Sequence, residues 1–329
     1  MPANFTFFTR LLLLCSFILL ASACAVAQDT APTPEPATPD KGALTLGQAA
    51  ILGIVEGLTE YLPVSSTGHL LLAERLMGIG KSTDASPTER ERTKEAIDAY
   101  TICIQAGAII AVLGLYFRRV RQMLLGLIGK DSEGRQLLLN VIAGFLPAAI
   151  IGLLLSKLIK SYLFGIWPVV IAWFVGGLAI LAVSWRNQGK DKTRQGGLSI
   201  IELSWRMALI IGFAQCVAMW PGVSRSLVTI VGGLMVGLSL SAAVEFSFLL
   251  GLVTLSAATA YDTLKHGEVM LQTFDGLSLA VGVAFAFVSA FFSVKWMVGY
   301  LNRHGLAIFG YYRVALSLIT GVMLLNGML

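Results

Sequence analysis

Along most of the chain, apolar residues run unbroken for the length of a membrane helix, and polar residues gather in short interruptions. Such runs occur at about 97–117, 137–156, 166–184, 241–261, 277–299 and 305–327. Each approaches or reaches the roughly 20 residues that a helix needs to cross the hydrocarbon core. They predict helices, because the strands of a membrane barrel are short and alternate in polarity. Two further apolar stretches, at about 46–77 and 205–238, carry Pro, Gly and polar residues at their middle. Irregular backbone at membrane depth survives only where protein or a water-filled cavity satisfies its polar groups. Both stretches are therefore expected to be re-entrant helical hairpins. The expected fold is an all-α integral membrane protein with six transmembrane helices plus two re-entrant helical hairpins.

Composition agrees. Of 329 residues, 56% are hydrophobic and 13% charged, and the mean hydropathy is +0.77. Soluble domains carry about 25% charged residues. The net charge of +5 is modest. In a membrane protein the placement of Lys and Arg matters more than their sum, so no nucleic-acid partner is implied. The four cysteines (Cys15, Cys24, Cys103, Cys216) lie inside apolar runs without a CxxC pair and read as small buried hydrophobes.

The amino terminus resembles an address. Arg10 precedes LLLLCSFILLASACAVA, and Ala25-Val26-Ala27 offers small residues for cleavage before Gln28. Residues 1–27 are read as a signal peptide or signal-like segment; lipidation at Cys24 and an uncleaved first helix are the alternatives. Residues 28–45 are read as a Pro/Thr-rich linker, of which DTAPTPEPATPDK (29–41) cannot pack. An outside start then places FRRVRQ (Arg118, Arg119, Arg121) and WRNQGKDKTRQGG (Arg186, Lys190, Lys192, Arg194) on one inner side, as the positive-inside rule requires. The mixed-charge segment 78–96 suits an outer loop, and His266 and His304 fall in expected loops.

GIVEGLTEYLPVSS (from Gly53) and GFAQCVAMWPGVSRS (from Gly212) form a weak internal repeat, with Glu56 matched by Gln215 and the register differing by one at the proline. The halves are about 46–184 and 205–327. Each would hold one hairpin and three spans, and an odd number of spans inverts the second half. Inverted repeats with broken helices meeting near the midplane are a transporter pattern. The two polar tips are therefore expected to face each other.

Those tips hold the candidate chemistry. Glu56 and Glu60 are four apart and share a helix face. Pro63 cannot continue the helix. Ser65, Ser66 or Thr67 can cap the next helix, whose amino terminus favours anions, with His69 about one turn in. The second tip supplies Arg225 between Ser224 and Ser226, a planar fork that matches phosphate oxygens. Intramembrane charge costs roughly 2.5–3.5 kcal/mol per residue on insertion scales, so Glu56, Glu60 and Arg225 imply function or mutual pairing. Hydroxyls, carboxylates, an imidazole and a guanidinium suit phosphoryl transfer on a lipid.

VEGLTEYLPVSSTGHLLL and PGVSRS resemble the two signatures of the undecaprenyl-diphosphate phosphatase family, the bacitracin-resistance BacA/UppP type. IQAGAIIAVLGLYFRR, AVEFSFLL and YYR (311–313) extend the resemblance over roughly 46–326. The resemblance implies a membrane phosphatase domain at 46–329 in the bacterial inner membrane, with its site on the periplasmic or outer side. Its substrate is a polyprenyl diphosphate lipid, its setting the bilayer, and the reading leaves room for a homodimer. The activity regenerates the lipid carrier for peptidoglycan and confers bacitracin resistance. By motif, Ser66 is the nucleophile, Glu56 and Glu60 the acidic pair, His69 the histidine needed for turnover and Arg225 the phosphate-binding arginine. Ser65, Thr67, Ser224, Ser226 and Gln215 line the phosphate site. Glu60 and His69 both stay open as the base. The resemblance also implies a divalent cation, Mg2+ or Ca2+, held by Glu56 and Glu60 or arriving with the diphosphate. Leu227 after PGVSRS, LLGLVTL without a proline, and the extension 1–45 depart from the family pattern. The rival expectation is a flippase for polyprenyl phosphate.

Overall fold

The computed structural model describes residues 44–80, 87–187 and 196–327. The signal-like segment, the linker up to residue 43 and residues 188–195 of the second basic loop lie outside them. The described chain is helical: α1 (Leu46–Thr59), α2 (Ser66–Leu76), α3 (Pro87–Leu115), α4 (Phe117–Leu127), α5 (Ser132–Leu163), α6 (Ile166–Asn187), α7 (Trp205–Cys216), α8 (Arg225–Met235), α9 (Leu240–Thr273), α10 (Gly276–His304) and α11 (Ala307–Leu325). Six of them, α3, α5, α6, α9, α10 and α11, are long and apolar enough to cross a membrane.

Local chemistry sets the boundaries. Thr45 and Gln48 form a capping box that starts α1. Side chains of Asp131 and Ser239 cap α5 and α9. Pro63, Pro221 and Gly222 fall in the turns after α1 and α7, where a missing N–H or a positive φ (94° at Gly222) ends regular structure.

The helices outrun the apolar segments. α9 has 34 residues, about 50 Å at 1.5 Å per residue, against a hydrocarbon core of about 30 Å. Two expectations are corrected by this. Much of the segment 78–96 is the first turns of α3, because its Glu, Arg and Lys residues are good helix formers. His266 is not in a loop but inside α9, where its Nδ1 meets Glu95 at 2.5 Å. His304 closes α10 and stacks on Tyr300. The basic FRRVRQ segment opens a separate amphipathic helix, α4, with Leu124 and Leu127 exposed.

Two short pairs, α1–α2 and α7–α8, lie among the six long helices. α1 packs along α10, and α7 packs along α5. Both contacts are backbone to backbone. A Cβ on Gly53 would sit 2.3 Å from the Gly282 carbonyl oxygen, and one on Gly212 would sit 2.5 Å from that of Gly144. Contacts also sort the chain ends. Arg119 pairs with Glu245, and Gln136 donates to the carbonyls of Ile201 and Leu203. Those residues share an end with the start of α7. The start of α1 is at the opposite end, where Ser278 donates to the Leu44 carbonyl and Glu95 meets His266. Tyr61, Phe246, Phe248, Ile211 and Ile230 are fully buried where the turns meet.

Candidate active site

α1 delivers Glu56 and Glu60 one turn apart, both buried. The chain then turns through Tyr61-Leu-Pro-Val and starts α2 at Ser66. Ser65, at the cap position, has φ 75° and gives no side-chain cap. Its counterpart before α8 is Ser224, φ 77°. Among the described residues these are the only non-glycine positions with positive φ. The left-handed region costs an L residue about 1 kcal/mol or more, so both turns are held from outside.

Each turn holds the other. The hydroxyls of Ser224 and Ser226 donate to the Leu62 carbonyl at 3.3 and 2.8 Å. The expected meeting of the two tips is present. A cavity of about 240 Å³ opens where they meet, with Glu60, Ser65, Ser66, Thr67, Ser224, Arg225, Gln105 and Gln215 on its polar wall. Ala148, Ala218, Met219 and Leu255 line its apolar side.

The reacting geometry centres on Glu60. The Ser66 hydroxyl donates to Glu60 Oε2. Arg225 Nη2 donates to Glu60 Oε1 at 3.2 Å, and its Nη1 to the Ser247 carbonyl at 3.0 Å. Arg225 Nε is buried without a partner, so this guanidinium keeps donors free. Its Cζ lies 5.2 Å from the centre of the Tyr61 ring, and Gly251 makes room for it: a Cβ there would be 2.2 Å from Nη1. The uncapped first turn of α2 adds backbone N–H groups beside Ser66, suited to an anion.

Other expected site residues stand behind the cavity wall. Glu56 is 1% exposed and does not line the cavity; its Oε1 has no partner. Ser226 is fully buried and spent on the Leu62 carbonyl. His69 also stands off the wall: Nδ1 lies 2.7 Å from the Ser65 carbonyl and Nε2 2.7 Å from the Tyr312 hydroxyl. A carbonyl only accepts, so Nδ1 carries the proton. Of the two groups left open in the sequence, Glu60 or His69 on the Ser66 proton, the Ser66 hydroxyl meets Glu60, while both His69 nitrogens are engaged elsewhere.

The chemistry of the donors admits a hard cation. Glu56 offers an orphaned carboxylate oxygen beside Glu60, and no group of three metal-ligating side chains exists among the described residues. Mg2+ commonly takes one or two carboxylates and completes its shell with substrate phosphate and water; Glu60 on the cavity wall fits an ion that arrives with the diphosphate, whereas Glu56 stands behind that wall.

Three participants had no role in the sequence reading. Tyr312 and Arg313 lay in a motif with no assigned role, and Gly251 in one noted only for lacking a proline. An arginine inside an apolar run was the available signal for Arg313.

Six membrane-length helices, with two turns closed round a buried hydroxyl, carboxylate and arginine, define a multi-pass helical membrane protein with a polar cavity in its interior. A family model described as bacitracin resistance protein BacA matches residues 49–319, and the chain belongs to that family. It is 43% identical to an undecaprenyl-diphosphatase of Sorangium cellulosum over 271 residues, 82% of this chain and 83% of the relative. It is 40% identical to the undecaprenyl-diphosphatase of Bradyrhizobium diazoefficiens over 280 residues (85% and 98%). It is 42% identical to undecaprenyl-diphosphatase 2 of Rhodospirillum rubrum over 272 residues (83% and 92%).

Proposed function

We propose that this chain hydrolyses undecaprenyl diphosphate to undecaprenyl phosphate and inorganic phosphate. It thereby recycles the lipid carrier for peptidoglycan and gives resistance to bacitracin. The observation that carries the reading is the position of Glu60, which accepts from the Ser66 hydroxyl on one oxygen and pairs with Arg225 on the other. A nucleophile, its base and a phosphate clamp thus share one cavity wall, and relatives across 82–85% of the chain carry that activity in their names.

In this reading the diphosphate enters with its terminal phosphate on the free donors of Arg225 and the first-turn N–H groups of α2. Glu60 takes the Ser66 proton, and Ser66 Oγ attacks the terminal phosphorus. The bond to the bridging oxygen breaks, Glu60 passes its proton to the departing undecaprenyl phosphate, and phosphoserine remains. Glu60 then deprotonates a water, which attacks the phosphorus; the P–Oγ bond breaks, phosphate leaves, and Glu60 returns the proton to Ser66 Oγ. Positioning and charge neutralisation dominate such transfers. A divalent ion that arrives with the diphosphate and is held by Glu60 would neutralise phosphate charge. The alanine and methionine side of the cavity suits the first carbons of the prenyl chain.

The expected re-entrant hairpins and inverted repeat belong to the same reading. The matched Gly53–Gly282 and Gly212–Gly144 contacts, the paired φ values at Ser65 and Ser224, and entry of α1 and α7 from opposite ends all support it. Placement in the inner membrane with the site open to the outer side rests on the basic FRRVRQ segment, which lies at the end shared with the start of α7.

The test is phosphate release by the purified, detergent-solubilised protein from prenyl diphosphates of several lengths, with and without chelator. Release that is fastest on long chains and lost with chelator is expected. Binding of the lipid without release would favour a carrier that flips it. The hydroxyl–carboxylate pair argues against that, since a passive lipid path has no use for a base.

A further inference from the structure

Arg313 lies inside α11, in the apolar part of the molecule, and is 0% exposed. Among the described residues no carboxylate pairs with it. Its five N–H donors instead meet five carbonyl oxygens. Nε donates to Trp173 (3.4 Å) and Nη2 to Ala172 and Gly222 (both 2.8 Å). Nη1 donates to Pro63 (3.3 Å) and Val223 (3.1 Å). A guanidinium has five such donors in a fixed fork and no acceptor, so every one is used.

The partners come from three places. Pro63 belongs to the first turn, Gly222 and Val223 to the second, and Ala172 and Trp173 to α6. These turn carbonyls sit where the helical pattern is broken and water is scarce, so each needs a donor. Gly176 leaves the space: a Cβ there would be 2.3 Å from Arg313 Nη2. Arg225 is the contrast, with Nε unpartnered and the cavity before it. One arginine has donors left for a ligand and the other has none.

We infer that Arg313 is a positioning residue: it fixes the two turns against each other and so sets the distance between Ser66 on one and Arg225 on the other. Pro63 lies three residues before Ser66, and Val223 two before Arg225. Lysine offers three donors without the planar fork and cannot reproduce the set. This rests on the phosphatase reading for its catalytic consequence, but not for its structural one.

The experiment compares wild type with R313K and G176A in detergent. Two readouts are used: phosphate release from a prenyl diphosphate, and amide hydrogen exchange over residues 61–67 and 220–227. Misplacement of reacting groups by about 1 Å can cost about a hundredfold in rate. We expect kcat of R313K to fall tenfold to a hundredfold with KM within about threefold. Exchange should quicken at least about tenfold in both turns together and stay unchanged in α3. G176A, which keeps the arginine but crowds it, should shift the same readouts in the same direction. If R313K fails to fold, G176A decides. Unchanged exchange in the turns with wild-type kcat overturns the inference. So does a raised KM with unchanged kcat and exchange, which would make Arg313 a phosphate contact. If the wild type released no phosphate, the phosphatase reading would fail, and the exchange data would still judge the staple.

Discussion

Glu60 is the residue on which the site turns, because its two oxygens serve two groups. Glu60→Gln keeps the size but cannot take the Ser66 proton. General-base contributions are worth roughly 10²–10⁴ in rate, so phosphate release should fall by at least about a hundredfold in steady-state assays. Ser66→Ala should lose as much, with no phosphoenzyme trapped by acid quench; a near wild-type rate would point to direct attack by water. Gly251→Ala tests the other side of the pair. Its Cβ would meet Arg225 Nη1 at 2.2 Å and push the clamp off the phosphate. The expected result is a KM raised about tenfold or more, the cost of one charge-assisted hydrogen bond at 1.5–3 kcal/mol, with a smaller change in kcat. Both acids, Ser66 and Arg225 are legible in the sequence, because charges and hydroxyls at membrane depth demand a reason. Gly251 is not legible: a glycine inside a long apolar helix gives no sign of which side chain fills its place.

At the scale of elements, the two broken stretches behave alike. Gly53 on α1 and Gly212 on α7 each press on the backbone of a long helix from the other half of the chain. A methyl group in either contact forces the helices apart, and overpacking costs typically about 1–3 kcal/mol. Gly53→Ala and Gly212→Ala should each lower the thermal unfolding midpoint in detergent by several degrees, and by similar amounts; a loss at one site alone would count against an equivalent role. The breaks themselves are readable from Pro63, Pro221 and the serines that follow. The helix ends are not. Charged residues continue α3 and α9 past the apolar segments, since a helix stops at a cap or a breaker and not where hydropathy changes.

For the whole molecule, the contacts place Arg119, Glu245 and the start of α7 at one end, and Leu44, Glu95 and His266 at the other. A single cysteine at Arg121, in a background without native cysteines, should react with an impermeant thiol reagent only from the cytoplasmic side of intact cells and spheroplasts. One at Glu91 should react only from outside. Labelling of both from one side would refute the orientation. The sequence by itself determined the membrane class, the number of spans and two polar interruptions as halves of one site, because hydropathy and the cost of buried charge act locally along the chain. It also held the family motifs. Only the tertiary structure decided that the Ser66 hydroxyl meets Glu60, that Ser226 and His69 are spent on carbonyls of the first turn, and that Arg313 reaches carbonyls of both turns. Those roles depend on which carbonyls are left unpaired when distant turns meet, and Arg313 is 250 residues from one of its partners.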